Sequence, residues 1–404
     1  MRRIFSILML SLLVLAGCGQ KGPTEREISF WAYAPGDQAR NQKVETLVDK
    51  YNQEHPGTRV KLFFVSKGDF NTKINTAIAV GANPDCSYLD SGLVARFAKD
   101  NILLNLDDFV NGGDLDLKDF YAGALKMVKY NNSFYGIPLN QTCIALFYNK
   151  DMVKTPPATW DELLAIAKKA YVPGKVAGFV VPNGDGYGAW EFPGFVASAG
   201  GSMLNENETK AVFNQPAGVA ALELWQELLQ YSPRLITDSA NAFELGRVAM
   251  TLNGPWVIEG IKTNFPKLRY GVALIPKKTQ FATNLGGESL VIYQNAKDPP
   301  AAWDFIRYLM LDENQIVMSE VTGNFPVKKT LINHPRFQGD PDLKMFMEQL
   351  QYAVSKPMVE SWTKINDEIL ARAIDEALNK RKTAAAALND AAKDCDAVLA
   401  EEKQ

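Results

Sequence analysis

The sequence is poor in the residues on which most enzyme chemistry depends. It contains 2 histidines and 4 cysteines among 404 residues, and both histidines, His55 and His334, stand beside prolines in turn-like segments. It contains no H-E-x-x-H, G-x-S-x-G or P-loop motif. The alternating glycines of Gly184–Gly188 are not followed by a helix with dinucleotide-binding spacing. We therefore expect no catalytic residue, no metal site and no cofactor.

Charge and hydropathy exclude two further classes of protein. The chain has 43 basic and 46 acidic residues and a net charge of −3, whereas a nucleic-acid-binding protein needs a concentrated basic surface. Beyond residue 17, no apolar run approaches the ~20 residues that a membrane-spanning helix needs. A hydrophobic content of 47% over 404 residues suits a globular protein of two domains.

A secreted glycoside hydrolase remains an alternative at this point. Such an enzyme needs only two carboxyl groups about 5–9.5 Å apart. The 46 acidic residues allow many pairs, and the sequence singles out none of them.

The first eighteen residues resemble a bacterial lipoprotein signal. Met1–Arg3 is basic, and the apolar run Ile4–Ala16 is too short to span a bilayer. Leu15–Cys18 resembles the lipobox read by signal peptidase II, which would make Cys18 the diacylated first residue, followed by a tether to residue 26. Removal of residues 1–17 would leave 41 basic and 46 acidic residues, a net charge of −5. We expect a lipid-anchored protein of the cell envelope, outside the cytoplasm, with the host's number of membranes left open.

The remaining cysteines are too few and too scattered for a disulfide framework. They are Cys86, Cys143 and Cys395. In an oxidising compartment a single Cys86–Cys143 bridge is conceivable, and the sequence leaves that pairing open.

Strand and helix patterns alternate along the chain. Strands are predicted at 28–33, 60–65 and 87–89, with helices over 40–52 and 70–78 between them. This alternation predicts an α/β fold with a mostly parallel sheet covered by helices.

Strands and helices are also predicted in the later part of the chain. A strand is predicted at 144–148 and another at 176–181, a capping box at Thr159–Glu162 begins a helix, and the chain is helical from Trp362 onward. No long linker divides the chain. Either it crosses between two domains more than once, or it forms one large domain.

Aromatic, amide and acidic residues gather at the ends of predicted strands, where open α/β sheets place their ligand crevice. The candidate ligand-binding residues are Asp37, Asp90, Ser91, Asn140, Gln141, Trp190, Gly254, Trp256, Gly287, Glu288 and Trp362. An indole ring packs against the apolar face of a sugar, while carboxylates and amides bond its hydroxyls. Because these segments contain no lysine or arginine, the pattern favours a neutral polyhydroxylated ligand. Trp31, Trp160 and Trp225 are instead expected in the core.

Seven segments, in order along the chain, resemble the extracellular solute-binding proteins of bacterial ABC importers. They are Gly81–Asp85, Leu89–Gly92, Tyr135–Pro138, Leu146–Lys150, Pro157–Leu163, Ala249–Trp256 and Ala301–Phe305. The most similar branch is the family that includes the maltose-binding protein and the glycerol-phosphate-binding protein.

This resemblance implies two α/β lobes of the Venus-flytrap type, with the ligand between them. Lobe one would comprise residues 27–141 and 286–326, and lobe two residues 142–285 and 327–404. The chain would cross between the lobes near Asn140–Cys143, Leu285–Ser289 and Phe325–Val327.

The resemblance also implies a function: a monomeric subunit that captures a sugar by lobe closure and delivers it to a membrane permease. Trp190, Trp256 and Trp362 match the family's sugar-stacking aromatics, and Asp90 matches an acid that the maltose binder uses. Thr142 replaces a glutamate of the maltose binder, and Gly36-Asp37 replaces a charged pair, which argues against maltose itself. Glycerol phosphate or a phosphodiester remains the alternative ligand, because helix N-termini bind phosphate without a cation.

Overall fold

Two larger β-sheets organise the fold. The computed structural model describes residues 26–402, so the predicted signal peptide and Cys18 lie outside the described residues. The strands are β1 (Arg26–Tyr33), β2 (Thr58–Val65), β3 (Cys86–Asp90), β4 (Lys129–Tyr130), β5 (Ser133–Phe134), β6 (Ile137–Pro138), β7 (Ala145–Asn149), β8 (Met250–Asn253), β9 (Tyr270–Ala273), β10 (Thr283–Asn284), β11 (Glu288–Ile292) and β12 (Ala353–Val354). One sheet has the order β2-β1-β3-β11-β6 and the other the order β8-β7-β9.

The first sheet has the predicted parallel core. β1 pairs in parallel with β2 along its whole length and with β3 on its other side, and β11 then runs antiparallel to β3. The prediction of a mostly parallel arrangement is wrong for the second sheet, where β7 runs antiparallel to both neighbours. The reason is connectivity, since β8 and β9 reach β7 from far along the chain rather than through a short helical crossover.

Helices cover both sheets. They are α1 (Gln38–Glu54), α2 (Lys67–Ala79), α3 (Val94–Lys99), α4 (Asp107–Asn111), α5 (Ala122–Lys126), α6 (Trp160–Ala170), α7 (Gly186–Ser198), α8 (Pro216–Leu228), α9 (Arg234–Thr237), α10 (Ile258–Asn264), α11 (Pro299–Leu309), α12 (Asp312–Thr322), α13 (Pro335–Gln338), α14 (Pro341–Leu350), α15 (Trp362–Lys364), α16 (Ala371–Leu378) and α17 (Ala384–Glu401). Within residues 26–402, none of them has the length and apolar character required to cross a membrane.

Local sequence signals account for several helix ends. The capping box before α6 is confirmed: the Thr159 hydroxyl accepts the Glu162 amide at 3.3 Å, and the Glu162 carboxylate accepts the Ala158 amide at 2.7 Å. The first bond satisfies an amide that the first helical turn leaves free, and the second fixes the residue just before the N-cap.

Two local predictions are wrong. Residues 176–181 are not a strand: Val176 and Ala177 form only isolated β-bridges, to Val172 and Val248 respectively. The helical region after Trp362 is not continuous: Ile365–Leu370 forms a π-helical turn, and the chain breaks at Lys380, whose φ is +58°.

Each large sheet has its own hydrophobic core, and the two cores define two lobes. In lobe one, Phe30 of β1 packs against Phe305 of α11 with ring centroids 5.0 Å apart. In lobe two, the fully buried Trp225 lies between Phe192 and Phe195 at 5.5 and 5.3 Å. The predictions that Trp160 and Trp225 are core residues are confirmed. A two-lobed α/β architecture follows.

Three chain segments run side by side between the lobes. Gln141 and Phe325 exchange two backbone hydrogen bonds of 2.9 Å, and Thr142 and Gly286 exchange two more of the same length. The Phe325 side chain is buried in the core of lobe two, whereas Val327 packs in the core of lobe one. The chain therefore passes from the core of one lobe to the core of the other between Phe325 and Val327.

The structure leaves Cys86, Cys143 and Cys395 as free thiols. Cys86 lies in the core of lobe one and Cys143 in a core of lobe two, so a bridge between them does not form. Burial raises the pKa of both thiols above the ordinary value, which makes them poor nucleophiles.

Candidate functional site

A cavity of about 1330 Å³ lies between the two lobes. Lobe one contributes the ends of β1 and β3 and the start of α2, and lobe two contributes α7, the segment after β8 and the start of the helical region at Trp362. The crossing residues Thr142, Gly286 and Gly287 form part of its lining. The cavity thus lies where the two halves of the molecule meet.

Aromatic side chains form the lobe-two wall of this cavity. Trp190 and Tyr187 lie on α7 with ring centroids 5.4 Å apart, and Trp256 and Trp362 complete the wall. Asp185 is the N-cap of α7, and its carboxylate accepts the Gly188 amide at 2.8 Å. That N-cap fixes the start of α7 and so places both of its aromatic rings at the cavity.

Gly254 positions Trp256 rather than lining the cavity itself. A Cβ at residue 254 would lie 2.0 Å from the Trp256 ring, so only glycine lets the indole pack across this backbone. The ring is half-buried, with one side on the core of lobe two and the other on the cavity. An apolar ring held in this way is a platform for the apolar face of a ligand.

Two carboxylates with fixed partners, Asp90 and Glu288, lie in the lobe-one wall. Asp90 lies at the end of β3, where its Oδ1 accepts the Gly92 amide at 2.7 Å and the Lys356 Nζ at 3.2 Å. Burial by itself would raise the pKa of Asp90, but Lys356, the Gly92 amide and Lys67 together hold it below its ordinary value. About half of the Asp90 side chain remains open to solvent, so the charged carboxylate is available to a ligand.

Glu288 forms a second anchored carboxylate beside the crossings. Its Oε1 accepts the Lys67 ammonium at 2.7 Å, and its Oε2 accepts the Asn324 amide at 3.2 Å. The Glu288 carboxylate raises the pKa of Lys67 above its ordinary value. Both oxygens are oriented before any ligand arrives.

The crossing residues support the floor of the cavity. Asn140 Oδ1 accepts the Glu288 backbone amide at 3.2 Å and the Asn324 side-chain amide at 3.3 Å. Gly287 has φ +156°, and a Cβ there would lie 2.4 Å from the Asn140 carbonyl oxygen. Glycine is therefore required for the two crossing strands to approach this closely.

Comparison with known proteins agrees with this geometry. The model of the family described as bacterial extracellular solute-binding protein matches residues 46–345. The chain belongs to this family. Among curated relatives, the maltodextrin-binding protein MdxE of Bacillus subtilis is 25% identical, over 97% of this chain and 96% of that protein. The maltotriose-binding protein of Pyrococcus abyssi is 25% identical, over 78% of this chain and 70% of that protein.

Solved structures of similar proteins share the two-lobed fold. A solute-binding protein from Thermotoga lettingae bound with alpha-D-tagatose has a TM-score of 0.82 and 25% identity, covering 93% of this chain and all of that one. The cyclic alpha-maltosyl-1,6-maltose binding protein from Arthrobacter globiformis has a TM-score of 0.80 and 26% identity, covering 94% and 99%.

The structure brings together six of the eleven candidate residues of this solute-binding protein. The cavity is lined by Asp90, Trp190, Trp256, Gly287, Glu288 and Trp362. Thr142, which the resemblance marks as a departure from the maltose binder, also lines it.

The other five candidates do not line the cavity, and they contact or position residues that line it or lie next to it. Gly254 and Asn140 position Trp256 and Glu288 as described above. Ser91 Oγ donates to the Gly287 carbonyl at 3.0 Å, and Gln141 Nε2 donates to the Pro326 carbonyl at 3.1 Å. The Asp37 carboxylate caps α1 by accepting the Arg40 amide at 2.8 Å.

Sequence reasoning missed the cations of the cavity. Arg40, Lys67 and Lys356 all line it, although the strand-end segments that point to a site contain no basic residue. Each of these three lining cations of the described chain pairs with a carboxylate: Arg40 with Asp37, Lys67 with Glu288 and Lys356 with Asp90. The only local sequence signal near these cations is the N-cap at Ser66, which places Lys67 at the first position of α2.

Polar residues of the late helical region were also missed. Asn366 and Asp367 line the cavity from the π-helical turn, and Asn366 Nδ2 donates to the Gly186 carbonyl at 2.9 Å. A π-helical turn changes which side chains share a face of the helix, and such turns often occur at functional sites. A regular α-helical pattern from Trp362 onward gives no warning of it.

Proposed function

We propose that this solute-binding protein captures a sugar, as a mono- or oligosaccharide, by closing its two lobes, and delivers it to the transmembrane subunits of an ABC importer. The observation that carries the proposal is one cavity with tryptophan rings on one lobe and oriented carboxylates on the other. Rings bind the apolar face of a sugar, and carboxylates bind its hydroxyls. The relatives and structural neighbours described above are named for binding sugars.

We further propose that the preferred ligand has more than one sugar residue. The cavity of about 1330 Å³ exceeds the ~300–1,000 Å³ of ordinary small-molecule sites. Four aromatic residues of lobe two, Tyr187, Trp190, Trp256 and Trp362, line it, so consecutive sugar rings would each have an aromatic partner.

The pairing of the lining cations favours a neutral ligand over glycerol phosphate or a phosphodiester. A phosphate needs free donors of positive character, and Arg40, Lys67 and Lys356 already have carboxylate partners. Binding an anion through these cations would break at least one of the pairs and leave a carboxylate next to the ligand's negative charge.

The remaining parts of the proposal concern architecture and mechanism. Lobe limits of 27–141 with 286–326, and 142–285 with 327–404, fit the separate cores except at the last crossing, where Phe325 packs in lobe two and Val327 in lobe one. We propose a monomer that works by binding alone, without catalysis. Closure gains contacts from both walls of the cavity, so the ligand shifts the open–closed equilibrium by its extra contacts in the closed state.

A thermal-shift screen tests the ligand class. The protein from Gly19 onward is tested with monosaccharides, maltotriose, maltohexaose, glycerol phosphate and glycerophosphodiesters. A ligand at a hundred times its dissociation constant adds about 2.7 kcal/mol to stability, which raises the melting temperature by several degrees. We expect this shift with an oligosaccharide.

Other outcomes of the screen point to other functions. A shift with phosphate compounds alone would preserve the importer role and overturn the sugar assignment. Turnover of a chromogenic glycoside that disappears in Asp90→Asn would support the hydrolase alternative instead.

We also propose that Cys18 carries a lipid anchor that holds the protein at the outer side of a cell membrane. Cys18 lies outside the described residues, so the proposal stands on the Leu15–Cys18 motif. We expect the wild-type precursor to incorporate radioactive palmitate and to fractionate with membranes, and Cys18→Ala to do neither. Incorporation of label by Cys18→Ala would contradict the anchor, and Cys395→Ala serves as a cysteine control.

A further inference from the structure

The segment between β12 and α15 belongs to lobe two but contacts lobe one. Its lobe-two attachment is firm, because Val359 packs on that lobe's core, Trp362 is buried in it, and the Ser361 amide donates to Glu402 of the C-terminal helix at 2.6 Å. Its charged side chains point the other way. Lys356 reaches Asp90 of β3 at 3.2 Å, and Glu360 pairs with Lys99 at the end of α3.

Glu360 has a second partner on lobe one. Its carboxylate accepts the hydroxyl of Tyr130 in β4. The lobe-one partners are themselves well held, since Val94 and Phe97 of α3 are buried in the core of that lobe. The Glu360 side chain is only 15% exposed, so its ion pair is shielded more than an ordinary surface pair.

Glu208 links the same segment to lobe one by a separate route. Its Oε1 lies 3.4 Å from the Lys126 ammonium on α5, and its Oε2 accepts the Met358 amide at 3.1 Å. Glu208 has φ +52°, in a turn where Asn205 Oδ1 accepts the amides of Thr209 and Lys210 at 2.7 and 3.0 Å. An ordered turn therefore presents this carboxylate to both partners at once.

We infer that Lys356, Glu360 and Glu208 form an ionic clasp that joins the lobes beside the ligand cavity, and that its Glu360 and Glu208 arms contribute to closure independently of ligand contact. The inference rests on the proposed function. None of the Glu360 or Glu208 partners named above lines the cavity. Opening of the lobes at this face would separate these residues and break the contacts, so the clasp favours the closed form.

The clasp makes the binding of a neutral ligand sensitive to salt. Ion pairs weaken with salt, whereas stacking of an uncharged sugar on tryptophan does not. Free energy that favours closure adds to the apparent ligand affinity. The affinity for an uncharged sugar should therefore fall as ionic strength rises.

The decisive test needs no ligand. Small-angle X-ray scattering of the wild-type protein from Gly19 onward is compared with Glu208→Gln/Glu360→Gln at 20 mM and 1 M NaCl. For a chain of this length the radius of gyration is about 21 Å. We expect salt to enlarge the wild-type radius measurably, and the double variant to have the larger radius already at low salt.

A matched control separates the clasp from general charge effects. Asp151→Asn removes an exposed ion pair to Arg269 of 2.9 Å that lies within lobe two. It should behave as wild type in scattering and in melting temperature. Glu360→Gln alone provides a second, milder variant should the double variant melt at a lower temperature.

Ligand binding supplies the second readout, with maltotriose and maltohexaose as the probes. An exposed ion pair shifts an equilibrium by up to roughly fivefold, so the double variant should bind about fivefold to twentyfold more weakly at low salt and lose the wild-type salt dependence. Equal radii and equal salt dependence in wild type, double variant and control would overturn the clasp. Failure of both sugars to bind, with the salt-dependent radius intact, would count against the proposed function and leave the clasp standing.

Discussion

Replacing Trp256 by alanine should abolish most ligand binding while leaving the ligand-free protein folded. The indole is half-buried, rests on Gly254 and lines the cavity with one side. Removal of a central aromatic from a binding site typically costs 2 kcal/mol or more. We therefore expect an affinity loss on the order of a hundredfold, measured by titration calorimetry with the sugar that gives the largest thermal shift.

Trp225→Ala is the matched comparison for this prediction. Trp225 is a fully buried indole of the same lobe, packed between Phe192 and Phe195 away from the cavity. Its truncation should cost about 3–5 kcal/mol of folding free energy and lower the melting temperature strongly, whereas Trp256→Ala should leave that temperature nearly unchanged. If Trp256→Ala instead unfolds the ligand-free protein, Trp256 is a core residue and the site assignment fails.

Glu191→Gln should stabilise the protein at alkaline pH and have little effect near pH 5. Glu191 follows Trp190 on α7 and is 3% exposed. Burial, and then the charge of Asp185, raise the pKa of Glu191 to about 8. The folded protein therefore keeps a proton on this carboxyl at pH values where the unfolded chain has lost it.

The direction of the pH effect follows from that proton. Between the ordinary glutamate pKa and about 8 the folded state binds more protons than the unfolded state, so stability falls as pH rises through this window. The difference between the pKa of Glu191 in the folded and unfolded states corresponds to a folding free energy on the order of a few kcal/mol. Glutamine removes the titrating group while keeping the shape of the side chain, so we expect a melting temperature several degrees above wild type at pH 8.5.

Melting temperatures measured from pH 5 to pH 9 check this expectation. Glu223→Gln, an exposed position on α8, is the control and should follow the wild-type curve. Parallel curves for wild type and Glu191→Gln would mean that Glu191 is ionised at neutral pH and that its neighbourhood stabilises the charge.

The lysine and arginine side chains that line the cavity are paired with carboxylates, and this pairing changes the class of ligand that the cavity favours. A census of lysine and arginine near the ligand would indicate an anion site, because Arg40, Lys67 and Lys356 all line the cavity. Their partners Asp37, Glu288 and Asp90 reverse that conclusion. The pairs leave oriented carboxylates as the polar groups that face a neutral ligand.

Features that depend on neighbouring residues were readable from the sequence. The capping bonds of Thr159 and Glu162 involve atoms within one helical turn, so the motif predicts them directly. The burial of Trp160 and Trp225 follows from apolar periodicity along a helix. The acid Asp90 could be found because it ends β3, and the carboxyl ends of parallel strands in an α/β sheet meet at one edge.

The tertiary structure alone decided what depends on residues far apart in the chain. Lys356 meets Asp90, and Lys67 meets Glu288, across hundreds of positions, and no local pattern encodes such a pairing. The antiparallel second sheet depends on where β8 and β9 return, and the π-helical turn that carries Asn366 depends on packing against α7. The sequence by itself thus determined the capped start of α6, the core positions of Trp160 and Trp225, and the presence of aromatic and acidic residues at the cavity. The tertiary structure decided the order of the second sheet, the pairing of the lining cations and the contacts between lobes. Each of these depends on interactions between segments that only the complete fold brings together.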